Sequence, residues 1–91
     1  MKFKLENYNG KYVMHCKSEA EARTFCDFLH KAGRAWNNGE TYAGFTEWSE
    51  FKEDTVYFFN EGLYGSFENV GSEYKILEWS DFEIGEAKNA N

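Results

Sequence analysis

The 91-residue chain contains no proline, only two cysteines and no apolar run of membrane-spanning length. Without proline, its reversals fall to Gly and Asn, which tolerate the backbone angles of tight turns. Two cysteines cannot build the disulfide framework of a small secreted scaffold. The opening stretch MKFKLENYNGK also lacks the uninterrupted apolar segment of a secretory signal. These deficits predict a cytoplasmic protein with reduced thiols, not anchored in a membrane. The chain is also short of basic residues after position 34. Residues 1–34 hold seven Lys and Arg against four Asp and Glu, a balance of +3, while residues 35–91 hold three against twelve, a balance of −9. A chain with this balance is poorly suited to gripping a phosphate backbone directly. It suits a basic groove on another protein, where opposite potentials speed encounter.

What the chain has in excess is aromatic residues: nine Phe, six Tyr and three Trp, a fifth of all residues. Aliphatic residues are too few to fill a core, so many of these rings must be packing. Tyr and Trp that stay outside favour binding interfaces. The length allows one core. We expect a single domain over residues 1–83 and a polar tail over 84–91 that frays.

The local patterns predict an α+β fold. LENYNGKYVMHC reads as an N-terminal β-hairpin about Asn9-Gly10. Its alternation puts Phe3, Leu5, Tyr12, Met14 and Cys16 on one face, and Lys4, Glu6, Lys11 and His15 on the other. The main amphipathic helix is expected over about 18–33, opened by the capping box Ser18-x-x-Glu21 and stopped by Gly33. Ala22, Phe25, Cys26, Leu29 and Ala32 form its inward stripe, with Phe28 at the edge and Arg23, Asp27 and Lys31 opposite. Asn37-Asn38-Gly39 marks a turn. TEWSEFKED suggests a single helical turn capped by Thr46. TVYFF and LYGSF flank Asn60-Glu61-Gly62 as a second hairpin, and EYKILEW makes a further strand. The helix is expected to pack on an antiparallel sheet of four to six strands.

His15, Cys16, Cys26 and His30 hold all the imidazole and thiol chemistry of the chain. A metal would need several of them to converge on one point. The helical stripe turns Cys26 inward and leaves His30 at its shoulder, while strand alternation sends His15 and Cys16 to opposite sides. No CxxC pair or HxxxH spacing is present, so no metal or other cofactor is expected. A thiol nucleophile needs an accessible, low-pKa thiolate. Cys16 is placed mid-strand and Cys26 mid-helix, and no GxSxG, phosphate loop or HExxH occurs. The chain is expected not to be an enzyme.

Binding chemistry remains. Trp48 among Glu47, Glu50, Glu53 and Asp54 reads as an aromatic anchor ringed by acid, suited to a basic protein surface. Trp36, Tyr42 and the same Trp48 offer aromatic planes, and Arg34 a cation, for stacking and anchoring a small nucleotide.

The spacing His-Cys-x-Ser-x3-Ala-x2-Phe-x3-Leu-His-x2-Gly-x2-Trp-x2-Gly-x2-Tyr-x3-Thr-x-Trp runs from His15 to Trp48, followed by TVYFF and YKILEWSDF. This pattern resembles a family of small proteins of phages and prophages of Gram-positive bacteria. In that pattern cysteines often stand where this chain has Asn37 and Val56, a departure that removes two potential metal ligands. The resemblance implies a host bacterial cytosol and a counter-defence role of the anti-CRISPR type. The partner would be a CRISPR effector or another defence or nucleic-acid-processing protein, blocked by mimicry of nucleic-acid charge. Two alternatives are a sequestering module for a nucleotide immune signal, and a structural or regulatory phage protein. Either a monomer or a homodimer fits the sequence.

Overall fold

In the computed structural model, which describes residues 2–82, four strands and one main helix form an α+β fold. Strand β1 is Tyr12–His15, helix α1 Glu19–Lys31, the short helix α2 Trp48–Phe51, and strands β2, β3 and β4 are Thr55–Phe58, Leu63–Ser66 and Lys75–Glu78. The sheet order is β3-β2-β1-β4. β1 runs antiparallel to β2 (Met14 opposite Tyr57) and β2 antiparallel to β3. β1 and β4 are parallel, with Met14 beside Leu77 and His15 beside Glu78. The sheet is therefore mixed, where a purely antiparallel one was expected.

The expected N-terminal hairpin does not form. Both flanks of β1 are occupied, by β2 and by β4, so no edge is left for residues 2–8. They make a 3-10 turn at Leu5–Asn7 instead. Asn60 Nδ2 then clamps the following bend, donating to the carbonyls of Tyr8 (2.7 Å) and Gly10 (3.0 Å). Phe3 enters the core rather than pairing with Cys16. Its ring meets Tyr8, Phe25, Phe28, Phe59, Trp79 and Phe82 at centroid separations from 5.1 to 5.9 Å. Most of these contacts are edge-to-face, the favoured arrangement of aromatic quadrupoles. Rings thus do the work that aliphatic residues do in most cores.

Helix α1 follows its pattern closely. Ser18 Oγ accepts from the Glu21 amide (3.2 Å), and Glu21 Oε1 accepts from the Lys17 amide (2.9 Å), one residue earlier than the standard box. Ala22, Phe25, Cys26 and Leu29 are buried, while Ala32 is exposed, because the helix ends at Lys31 and Ala32 is its C-cap, followed by Gly33 at φ +85°. Lys31 pairs with Asp27 (3.1 Å) on the outer face.

β3 and β4 lie at opposite edges, so the segment 67–74 between them crosses the sheet face opposite α1. Phe67 covers His15 (4.7 Å between ring centroids) and Tyr74 covers Phe58 (5.0 Å). Val13, His15 and Val56 are buried beneath this strap. That is why His15, expected on a solvent-facing side, is enclosed. The hairpin of β2 and β3 is present, with residues 59–62 as its loop. Residues 84–91, expected to fray, lie outside the described residues.

Phe3→Ala is expected to lower stability by about 3–5 kcal/mol in urea unfolding with little change in slope. A loss under about 1 kcal/mol would show that the ring is not a core element.

Candidate protein-interaction surface

The two clefts that carry the candidate surface meet along strand β3. The first, about 290 Å³, is lined by Trp36, Asn37, Asn38, Glu40, Phe45, Glu47, Gly62, Leu63 and Tyr64. Glycine at position 62 permits this wall. Its φ is +74°, and a Cβ there would stand 2.6 Å from the Asn37 amide nitrogen, which donates to the Gly62 carbonyl at 3.0 Å. Opposite that contact, Trp36 is fixed by Nε1 donating to the Phe45 carbonyl (3.1 Å). Phe45 itself is half exposed (50%).

The second cleft, about 590 Å³, includes Glu50, Phe51, Phe58, Glu61, Leu63, Tyr64, Gly65 and Tyr74 in its lining. Tyr64 lies on the sheet face shared with α1, whereas Phe58 and Gly65 lie on the strap side. A cleft lined from both faces of β3 must run beside the strand's outer edge, which no other strand pairs among the described residues. The Tyr64 hydroxyl donates to Glu50 and the Tyr74 hydroxyl to Glu61, each at 2.6 Å. These carboxylates accept the phenolic protons and so push both tyrosines up, Tyr64 to about 12. Four carboxylates therefore line the two clefts, Glu40, Glu47, Glu50 and Glu61, and among the described residues no Lys, Arg or His does.

The acidic segment expected to form one contact zone is divided by the fold. Glu47 and Glu50 line the clefts. Glu53 is exposed and Asp54 half-buried, but both belong to the 3-10 turn Lys52–Asp54 that leads into β2, where the Glu53 carbonyl lies 2.8 Å from His15 Nε2. Trp48, expected as the exposed anchor, packs on the core, and its indole N–H is buried without a partner among the described residues. The outward apolar groups beside the acids are instead Phe45 and Leu63. Sequence reading missed these two, together with Glu40, Glu61 and Tyr64. The clefts join three segments distant in sequence, and no local spacing reports that.

Arg34, Trp36 and Tyr42 do not form an open stacking site. Trp36 (7% exposed) and Tyr42 (1%) pack against each other with centroids 4.4 Å apart. Arg34 Nη1 is held by the Phe59 carbonyl (3.2 Å) and by Asn60. The rings lie inside because the turn at Gly39 folds residues 35–41 back onto the sheet, pairing Ala35 with Thr41.

His15, Cys16, Cys26 and His30 are likewise kept apart. His15 Nδ1 contacts both oxygens of Glu78 (2.9 and 3.0 Å) on the strap side, and His30 is exposed on α1. Both thiols are buried between α1 and the sheet. Burial pushes Cys16 well up and Cys26 to about 12. Among the described residues no three His, Cys, Asp or Glu side chains converge in a way that would hold a metal. No helix of the described residues is long and apolar enough to cross a membrane.

The short helix α2 is flanked by two strained residues, Glu47 (φ 57°, ψ 18°) and Lys52 (φ 52°, ψ −125°). Thr46, expected as the cap, is displaced from that position: the N-cap is Glu47, which makes no side-chain cap bond, and Thr46 Oγ1 only accepts from the Trp48 amide at 3.3 Å from one residue further out. Comparison with known family models, curated proteins and solved structures finds no match.

This geometry generates three predictions. In the native protein neither thiol should react with an aromatic disulfide reagent near neutral pH, and both should react after unfolding. Because the folded chain holds thiol protons that the unfolded chain releases above 9.0, stability should fall as pH rises through and beyond that value, visible as a falling urea midpoint. Lys52→Gly should relieve its backbone and raise stability by about 1 kcal/mol in the same assay.

Proposed function

We propose that this protein is a non-enzymatic binding protein whose acidic, aromatic edge occupies a Lys- and Arg-lined groove on a partner protein. One observation carries this reading: Glu40, Glu47, Glu50 and Glu61 surround two adjoining clefts that contain exposed Phe45 and Leu63 and, among the described residues, no lining cation. Carboxylates held beside apolar surface keep more of their pull on a cation than carboxylates scattered in water. Glu53 and Asp54 extend the same sign of charge past α2.

The sequence resemblance supplies the biological setting. We read the chain as a phage or prophage inhibitor of a bacterial defence or nucleic-acid-processing protein, a CRISPR effector among them, working in the host cytosol. Acidic groups on the β3 side would take the place of nucleic-acid phosphates in the partner's basic groove. Capture of a nucleotide between Trp36 and Tyr42 is disfavoured, since their faces are already spent on each other.

The test is Glu40→Gln, Glu47→Gln, Glu50→Gln and Glu61→Gln combined. Glutamine still accepts from Tyr64 and Tyr74, so the fold should hold. Against a partner isolated from host lysate, affinity is expected to drop at least tenfold, and its dependence on salt should flatten. Unchanged affinity and salt slope would refute charge mimicry.

A further inference from the structure

The two edges of the sheet are not alike. β4 carries Lys75 and Glu78, and charged residues, lysine above all, are the usual protection against unwanted strand pairing. β3 reads Leu-Tyr-Gly-Ser and carries no charge at all. Leu63 is 43% exposed, and Gly65 leaves the strap-side surface of β3 low, with only the Phe58 ring close beneath. The second cleft runs along this edge, and the first opens at its Leu63 end. An unprotected strand edge beside an open groove is the arrangement that accepts an added strand.

Resting on the binding role argued above, we infer that the free edge of β3 pairs with an extended, Lys- or Arg-bearing segment of the partner protein, adding a fifth strand to the sheet. Charge selects the occupant. A second copy of this chain would bring its own Glu40, Glu47, Glu50 and Glu61 against the same four, at a net charge of −6 per chain. A cationic strand meets the opposite potential. Its alternate side chains fall to the two sides of the sheet. On the α1 side they reach the half-buried Tyr64 and Glu47, where an ammonium or guanidinium finds an aromatic ring and a carboxylate together. On the strap side they lie over Phe58 and Gly65, within reach of Glu61. Lys11, whose ammonium lies 5.1 Å from the centre of the Tyr74 ring, does not line either cleft.

The experiment uses the full chain and three peptides: acetyl-Lys-Val-Arg-Val-Lys-Val-amide, the same peptide N-methylated at alternate residues, and a version with Gln for each Lys and Arg. Binding is followed by tryptophan fluorescence, and hydrogen exchange is read at the Leu63–Ser66 amides. The cationic peptide should bind and slow exchange at those amides. N-methylation should weaken binding at least tenfold, as should the Gln peptide. The surface variant Leu63→Lys should bind the cationic peptide at least tenfold more weakly than the parent chain while its thermal unfolding stays unchanged. Protection mapping to β4, or protection at β3 that grows with protein concentration without peptide, would overturn the inference. Equal binding of the N-methylated peptide together with loss for the Gln peptide would remove strand pairing and leave the acidic surface standing. Equal binding of all three would remove both.

Discussion

Strand β1 must be satisfied on all four sides, and the remainder of the fold follows from meeting that demand. It is paired by β2 on one flank and β4 on the other, covered by α1 on one face and by the 67–74 strap on the other. Val13 and Met14 show no exposed surface. A chain with few aliphatic residues can enclose a strand this completely only with large side chains, and Phe25, Tyr57, Phe59 and Trp79 provide them. The N-terminal segment is displaced from the sheet by the same demand. It serves the core through one ring, Phe3, instead of through backbone pairing.

Placing β4 beside β1 moves β3 to the far edge and sends the connection across the strap side. That single topological choice decides where the acidic residues end up. Glu40 comes from the turn after α1, Glu47 from the residue that precedes α2, Glu50 from α2, and Glu61 from the hairpin loop, and they meet because β3 is the strand they border. The charge segregation along the sequence thus becomes segregation in space only in part. Glu78, from the same acidic half, faces His15 and Lys17 on the opposite flank.

The features that local physics governs were legible in the sequence. The capping box, the Gly33 stop, the inward stripe from Ala22 to Leu29 and the β2–β3 hairpin all appear, since each depends on residues near one another in the chain. The N-terminal hairpin failed although Asn9-Gly10 is good turn chemistry, because tertiary competition for the flanks of β1 outweighs it. His15 shows the same limit. Alternation told which side it faces, but only the strap, arriving from residues 67–74, determines that this side is covered. At the candidate surface, the acid of Glu47 and Glu50 was readable. The inward turn of Trp48 and the joining of Glu40 with Leu63 were not, as both arise from packing between segments far apart.

The enclosure of Phe3 also bears on how the chain is made. Its neighbours Trp79 and Phe82 are among the last described residues, and β1 likewise waits for β4. A ribosome emits residues from the N-terminal side first, so β1 and the Phe3 ring emerge long before β4, Trp79 and Phe82 can complete their shelter. Contacts spanning nearly the whole sequence also make for slow folding. During synthesis the exposed strand and ring are open to chaperones or to other nascent chains, and a fragment ending before Trp79 would keep them so.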